Sequence, residues 1–93
     1  MTVPPGRQNY LLLSSSSSII EYDLPTTTVV EIAIFDVIGK RVATLVESFV
    51  PGGIHRVSWN GDSISVVRVG AGVYFVQMRA GDRLLSQKLV LLK

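Results

Sequence analysis

Apolar and polar residues alternate at every second position in several short runs of this sequence, and this pattern constrains the fold more than any other feature. In the run Ile20 to Leu24, Glu21 and Asp23 separate the apolar residues, and the run Val30 to Ile34 alternates in a similar way. Successive side chains of a β-strand point to opposite faces of its sheet, so each run has one apolar face. Such runs, repeated about every eight to twelve residues, predict an antiparallel β-sandwich.

Glycine and proline residues mark the connections between the predicted strands. Gly39 is predicted to occupy a turn position with positive φ, Gly81-Asp82 to form a tight hairpin, and Glu47 to Gly53 to form a loop. No run has the length and period of a normal helix. The remaining predicted strands are Arg41 to Val46, Ile54 to Trp59, Ile64 to Val69 as the least regular one, Val73 to Ala80 and Arg83 to Lys93.

Together these strands predict an all-β fold, an Ig-like antiparallel β-sandwich of about seven strands, over residues 19–93. The side chains of His55, Val57 and Trp59 share one strand face, and Trp59 is predicted to be the largest residue of the core. His55 is therefore predicted to be a packed, hydrogen-bonded strand residue rather than a catalytic base or a metal ligand.

Residues 1–18 differ from the rest of the chain. They contain Pro4-Pro5-Gly6, the apolar residues Leu11 to Leu13 and a run of serines, and they show neither helical nor strand periodicity. Such a segment is predicted to be an extended arm or linker.

The composition excludes several classes of site. The chain has no cysteine, which rules out disulfide bonds, thiolate zinc sites and a cysteine nucleophile, and its single histidine leaves one base for a Ser-His-Asp triad. Nine Lys and Arg residues are scattered along the chain and give a net charge of only +2, which argues against a nucleic-acid groove. No apolar run approaches the roughly 18 residues of a membrane-spanning helix. The sequence therefore predicts a non-catalytic module without a cofactor or a bound metal.

The remaining polar candidates each have a structural interpretation that we favour. Asp23 and Asp36 are predicted to be polar groups of turns and strand edges rather than a catalytic pair. Asp62, with Asn60 and Ser63, is predicted to form an Asx-type turn rather than a calcium loop, because one carboxylate is too few for a tight calcium site.

Clustered hydroxyl groups also occur on segments predicted to be extended or connecting. Such clusters are typical acceptors for O-glycosylation, and a flexible spacer is the alternative interpretation. The candidate residues are Ser14, Ser15, Ser16, Ser17, Ser18, Thr26, Thr27 and Thr28.

Six short motifs follow one another in a recognisable order. They are Tyr22-Asp23-Leu24-Pro25, Ile34 to Val46, His55 to Gly61, Gly72-Val73-Tyr74-Phe75, Ala80-Gly81-Asp82 and Lys88 to Lys93. In this order they resemble the C-terminal sorting domain of cargo proteins exported by the bacterial type IX secretion system, whose shape is related to the Ig-like domain of flagellar hook-capping proteins. The resemblance covers the chain from about Gln8 to Lys93.

The resemblance implies a sandwich with no chemistry of its own, carried at the end of a secreted or cell-surface protein. In the family, the export machinery at the outer membrane recognises this domain, and a sortase-like peptidase commonly removes it. The sorting-signal candidates carried over from the family are Lys88, Leu89, Val90, Leu91, Leu92 and Lys93, with Gly72, Val73 and Tyr74 as a second motif.

The chain departs from the family pattern at two segments. Leu11 to Ser18 stand where the family usually has a Pro- and Asn-rich stretch, and Ile64 to Val69 replace a polar loop that contains glycine. In addition, Asn60 stands where the family usually has an aspartate.

The final strand has more apolar residues than one buried face needs. Either part of this strand is exposed and binds a partner, or it is a central strand covered on both faces, and the sequence leaves both interpretations open.

An alternative function follows from the N-terminal arm. An extended arm can add a strand to the sheet edge of a second molecule, and repeated addition would build an extracellular filament. The assembly residues in this hypothesis are Tyr10, Leu11, Leu12 and Leu13. A cargo reading frame upstream in the gene would favour the sorting role, and an export signal alone would favour the filament.

Overall fold

The computed structural model describes residues 10–13, 19–59 and 69–91, and the regular secondary structure within these ranges is all β-strand. The prediction of an all-β fold is confirmed. The strands are β1 (Tyr10–Leu13), β2 (Ile19–Leu24), β3 (Thr28–Phe35), β4 (Arg41–Val50), β5 (Gly53–Ser58), β6 (Gly72–Ala80) and β7 (Arg83–Leu91).

The strands form two antiparallel sheets. β2 lies in the centre of a three-stranded sheet between β1 and β5, and the four-stranded sheet has the order β4, β3, β6, β7. β3 and β4 are neighbours both in sequence and in the sheet, as are β6 and β7. The chain passes from one sheet to the other between β2 and β3, between β4 and β5, and between β5 and β6. The result is the predicted sandwich, with β7 at one edge of the larger sheet.

Side chains from both sheets meet in one apolar core. Ile20 and Leu24 of β2 have no exposed surface, and neither do Ile32 of β3, Met78 of β6 and Leu89 of β7. The buried residues of β2, β3 and β6 are the apolar members of alternating runs, so the period-two pattern selects the buried face of these strands. Burying each of these side chains contributes about 1.5–3 kcal/mol relative to leaving it exposed.

Trp59 lies directly after β5 and is also part of the core. Its side chain is 3% exposed, and its ring meets that of Tyr74 edge to face, with the centroids 5.3 Å apart. The sequence prediction that Trp59 is a core residue is confirmed.

A short turn joins β3 to β4. The Oδ1 atom of Asp36 accepts hydrogen bonds from the backbone N–H groups of Ile38 at 3.0 Å and Lys40 at 2.9 Å. The backbone N–H of Gly39 donates to the Asp36 carbonyl, and Gly39 has a φ of 87°. Both the turn glycine and the turn role of Asp36 were predicted correctly, because the contacts that form the turn are local.

Strand β4 is longer than the sequence predicts. Glu47 to Val50 were predicted to belong to a loop, but they continue the strand, with Glu47 opposite Glu31 and Val50 opposite Thr28. β3 begins at Thr28, a residue that the sequence assigns to a connection. The backbone at the start of β3 therefore pairs with Glu47 to Val50. Pro51 follows directly, and a proline has no N–H group with which to continue a ladder.

Residues 10–13, the described part of the predicted extended arm, belong to the three-stranded sheet. They form β1, which pairs with β2 so that Tyr10 lies opposite Asp23 and Leu13 opposite Ile20. Leu11 is only 3% exposed and belongs to the core. Backbone pairing does not require an alternating sequence. The four residues of β1 pair with the side of β2 that β5 leaves unpaired.

The predicted strand from Ile64 to Val69 cannot be compared with the structure, because residues 60–68 lie outside the described ranges and only Val69 of this run is described. The predicted Asx-type turn, with its calcium-loop alternative, at Asn60, Asp62 and Ser63 lies outside the described residues for the same reason.

Candidate functional site

The two groups of sorting-signal candidates lie side by side in the four-stranded sheet. Gly72 is opposite Leu91, Val73 is opposite Val90, and Tyr74 is opposite Leu89 in the antiparallel pair of β6 and β7. The hairpin that places them together turns at Gly81, which has a φ of 60°. The candidates Leu92 and Lys93 lie outside the described residues.

Strand alternation divides these candidates between two faces of the sheet. Leu89 is fully buried in the core, and Tyr74 and Leu91 pack against the core and are partly exposed. Val73 and Val90 point the other way, and each is 38% exposed. Among the described candidates, the outward-facing side chains are therefore the most accessible to a partner.

The inward-facing residue Tyr74 organises the beginning of β6. Its hydroxyl group donates a hydrogen bond to the carbonyl oxygen of Gly70 at 2.6 Å, and its ring contacts Trp59. Gly72 lies between Gly70 and Tyr74 in the chain and has a φ of 149°, a conformation that residues with a side chain rarely adopt. The Gly72-Val73-Tyr74 motif thus has a clear structural role.

On the outward face, a row of side chains crosses all four strands. Phe75 of β6 is opposite Phe35 of β3 on one side and Lys88 of β7 on the other. Arg41 of β4 is opposite Phe35, and its guanidinium carbon lies 5.3 Å from the centre of the Phe35 ring. We name the surface formed by this row and the adjacent valines the outer patch. Its residues are Phe35, Arg41, Val73, Phe75, Lys88 and Val90.

An open groove of about 380 Å³ adjoins Phe35 and Phe75 of the outer patch. Its floor includes the two phenylalanines together with Gln77 and Ser86, which are opposite each other in the β6–β7 pair. The turn after β3 forms one wall, contributing Asp36, Val37 and Gly39.

The two cations of the outer patch differ in their surroundings. Arg41 lies 3.4 Å from Glu31 Oε2 and 3.2 Å from Thr44 Oγ1. Lys88 is exposed and makes no ion pair with any residue in the described ranges. The charge of Lys88 is thus the more accessible to a partner.

Gln87 links the candidate strand to the opposite sheet. Its Nε2 atom donates a hydrogen bond to the carbonyl oxygen of Leu11 in β1 at 3.2 Å. Sequence analysis did not single out Gln87, because its partner is a backbone atom 76 positions away and leaves no pattern in the sequence.

The structure places the other polar candidates in structural roles. His55 packs against Tyr22, with ring centroids 5.4 Å apart, and its Nε2 atom donates to the Pro51 carbonyl at 2.7 Å, as a packed strand histidine was predicted to do. Asp23 was predicted to be an edge group. It is instead 2% exposed, in the strand β2 that lies between β1 and β5.

No group of three or more His, Asp or Glu residues that could hold a metal ion occurs in the part of the chain that the structure describes. Nor do the described ranges contain a helix with the length and apolarity needed to cross a membrane.

The glycosylation and assembly candidates receive little further support. Thr26 and Thr27 are exposed in the β2–β3 connection, and Thr27 Oγ1 accepts a hydrogen bond from the Gly52 N–H at 3.1 Å, while Ser14 to Ser18 lie outside the described residues. The assembly residues Tyr10 to Leu13 pair with β2 of the same molecule. Neither modification nor polymerisation is supported by these contacts.

The fold defines a small β-sandwich module, and its described sorting-signal candidates lie on the paired strands β6 and β7. Residues 14–92 match the sequence model of the secretion system C-terminal sorting domain. The chain therefore belongs to this family of type IX sorting domains, and the resemblance inferred from its motifs is confirmed. None of the curated proteins compared with the chain matches it.

Family membership also determines where the chain is delivered. A sorting domain of this type implies export to the cell surface or secretion, so the predicted location is confirmed. The family is in general non-catalytic, and its role implies interaction with the secretion machinery.

Proposed function

We propose that this chain is the signal by which the type IX machinery at the outer membrane recognises a cargo protein, and that it performs no catalysis itself. The observation that carries this proposal is the family match over residues 14–92, which includes every strand from β2 to β7. The chain's own contribution is recognition, and a sortase-like peptidase is the proposed partner that removes the domain after export.

Within the chain, we propose that residues 88–93, together with Gly72, Val73 and Tyr74, are read by the machinery. Two observations support this choice. Among the strands that the structure describes, β7 pairs with β6 alone, so it lies at the edge of its sheet. Lys88 and Val90 are exposed on it, next to Val73 in the pairing with β6.

The test is an export assay with the whole chain fused after a reporter protein, in a bacterium with a working type IX system. We expect the reporter to reach the cell surface or the medium. Replacing both Lys88 and Lys93 by alanine should reduce the exported amount several-fold, because the charges of the closing strand are lost. The matched control is Lys40→Ala, which removes an exposed lysine from the β3–β4 turn.

A second variant separates recognition from folding. Leu89→Ala should lower the free energy of unfolding by about 2–5 kcal/mol, because it leaves a cavity at a fully buried position. The lysine variants should instead unfold at the same denaturant concentration as the parent chain. Export of the fusion at the level of a reporter without the chain would contradict the proposal.

A further inference from the structure

β1 is the shortest strand that the structure describes. It has four residues, and among the described strands it pairs with β2 alone. On the other side of β2, β5 pairs with all six residues of the strand, whereas β1 pairs with only four of them, Ile20 to Asp23. Within the described residues, the β1 side of β2 is thus paired over less of its length than the β5 side.

The place that β1 occupies has specific recognition elements. Leu11 lies opposite Tyr22, is 3% exposed and belongs to the core between the two sheets. Its carbonyl oxygen accepts a hydrogen bond from Gln87 Nε2 of β7 at 3.2 Å. We name this place the β1 site. It consists of the backbone of β2 from Ile20 to Asp23, the core position that Leu11 fills, and the amide donor of Gln87.

β1 is also the strand that the family match leaves out. The matched segment, residues 14–92, contains β2 to β7 and begins after β1. Local opening is easiest where few backbone hydrogen bonds and few buried side chains are lost, and a strand of four residues loses the fewest. We therefore expect β1 to open at a lower free energy than the strands of the larger sheet.

We propose that the β1 site is an acceptor for an extended segment of another polypeptide, and that β1 occupies this site in cis as an autoinhibitory strand. The incoming segment adds to the edge of β2 in antiparallel direction, with an aliphatic side chain in the place of Leu11 and a carbonyl group facing Gln87. This inference goes beyond the proposed function and does not depend on it.

The pairing of β2 favours a longer strand from a different chain over a second copy. A second copy offers the same four-residue strand that the site already holds, so an exchange between copies gains no contact. The connection through residues 14–18 also gives β1 a high effective concentration at its own site, typically millimolar for a short linker. A segment that pairs with all six residues of β2, as β5 does, gains backbone hydrogen bonds with which to displace β1.

The first test disables β1 within the whole chain. Leu11→Asp does this, because a carboxylate is costly to bury in an apolar core. The probe is a fluorescent synthetic peptide with the sequence of residues 8–15, which is long enough to pair with all of β2. We expect the peptide to bind the Leu11→Asp chain at least tenfold more tightly than the parent chain, since the site is no longer occupied in cis. Fluorescence anisotropy measures both affinities.

Three controls determine whether this binding is specific. The peptide carrying its own Leu11→Asp change should not bind. Adding Gln87→Ala to the Leu11→Asp chain should weaken binding about fivefold, because one hydrogen bond is lost. Phe49→Asp, at a 69% exposed phenylalanine of the other sheet, is the matched control chain and should bind the peptide as weakly as the parent. Equal affinity of the peptide for the parent and the Leu11→Asp chain would overturn the proposal.

The second test uses the parent chain and does not depend on the folding of a variant. Native-state hydrogen exchange should show that the amides of β1 open at least tenfold more often than those of β3 and β6, the central strands of the larger sheet. Exchange of β1 through global unfolding alone would contradict the proposal, because the site would then never be vacant in a folded chain. Dimers of the parent chain that Leu11→Asp abolishes, measured by light scattering, would identify a second copy as the occupant and would overturn it as well.

Discussion

Single side chains determine several local features of this domain, and the clearest is the turn between β3 and β4. Asp36 accepts two backbone hydrogen bonds there, and Gly39 adopts a φ of 87°. This turn forms one wall of the groove beside the outer patch. A local conformational preference therefore shapes part of the candidate recognition surface.

The conformation of Gly39 leads to a stability prediction. Gly39→Ala should lower the free energy of unfolding by about 1–2 kcal/mol, because a β-carbon is strained at this positive φ even though no atom lies within 4 Å of it. Gly70→Ala is the matched control, since that position is equally open and does not have such a φ. Denaturant unfolding measures both, and an equal effect of the two substitutions would contradict the assignment.

Tyr22 gives the domain a dependence on alkaline pH. Its side chain is 4% exposed, and burial raises the pKa of its hydroxyl group above the ordinary value of 10.0. The neutral form is thus favoured in the folded state, and its contribution to stability is complete below pH 10. As the pH rises from there through the pKa of the folded state, the free energy of unfolding should fall.

The matched variant for this prediction is Tyr22→Phe, which keeps the ring and removes the titrating group. Urea unfolding at a series of pH values should show a smaller decline above pH 10 in the variant than in the parent chain. Identical declines would mean that other groups cause the alkaline loss of stability.

A side-chain hydrogen bond links β1 and β7, which belong to different sheets. β1 has only four residues and pairs with β2 alone, while the Gln87 side chain of β7 binds the Leu11 carbonyl. Four residues form few backbone hydrogen bonds, so β1 is held by its pairing with β2, by the burial of Leu11 and by this side-chain contact. The strand that carries the sorting-signal candidates also holds the first strand of the fold.

This link predicts the effect of removing the amide. Gln87→Ala should lower the free energy of unfolding by about 1 kcal/mol and increase amide hydrogen exchange in β1, because one hydrogen bond to its backbone is lost. Ser86→Ala is the control at the next residue, on the opposite face of β7. Unchanged exchange in β1 of the Gln87 variant would show that β2 alone holds the strand.

Over the whole molecule, the sorting-signal candidates are part of the fold rather than an appended peptide. β7 contributes Leu89 to the core between the two sheets and Lys88 and Val90 to the surface. A substitution in this strand therefore changes either stability or the exposed surface, depending on which face the residue occupies. For this reason the export experiments above include a stability measurement and a control at another exposed lysine.

Much of this architecture follows from local patterns in the sequence. The alternation in β2, β3 and β6 predicts their buried faces, Gly39 and Gly81 predict their turns, and Trp59 is correctly identified as a core residue. The order of motifs also identifies the family. These features depend on the backbone and side chains of residues close in sequence, so they are visible before the chain is folded.

Other features depend on which strands become neighbours. No local pattern predicts that residues 10–13 form β1, that Asp23 is buried, or that Gln87 reaches the Leu11 carbonyl. The tertiary structure alone brings the two signal motifs opposite each other and divides their side chains between core and surface. The sequence by itself determined most of the strands and the family; the packing of the sheets decided what is exposed, because burial is a property of contacts between distant residues.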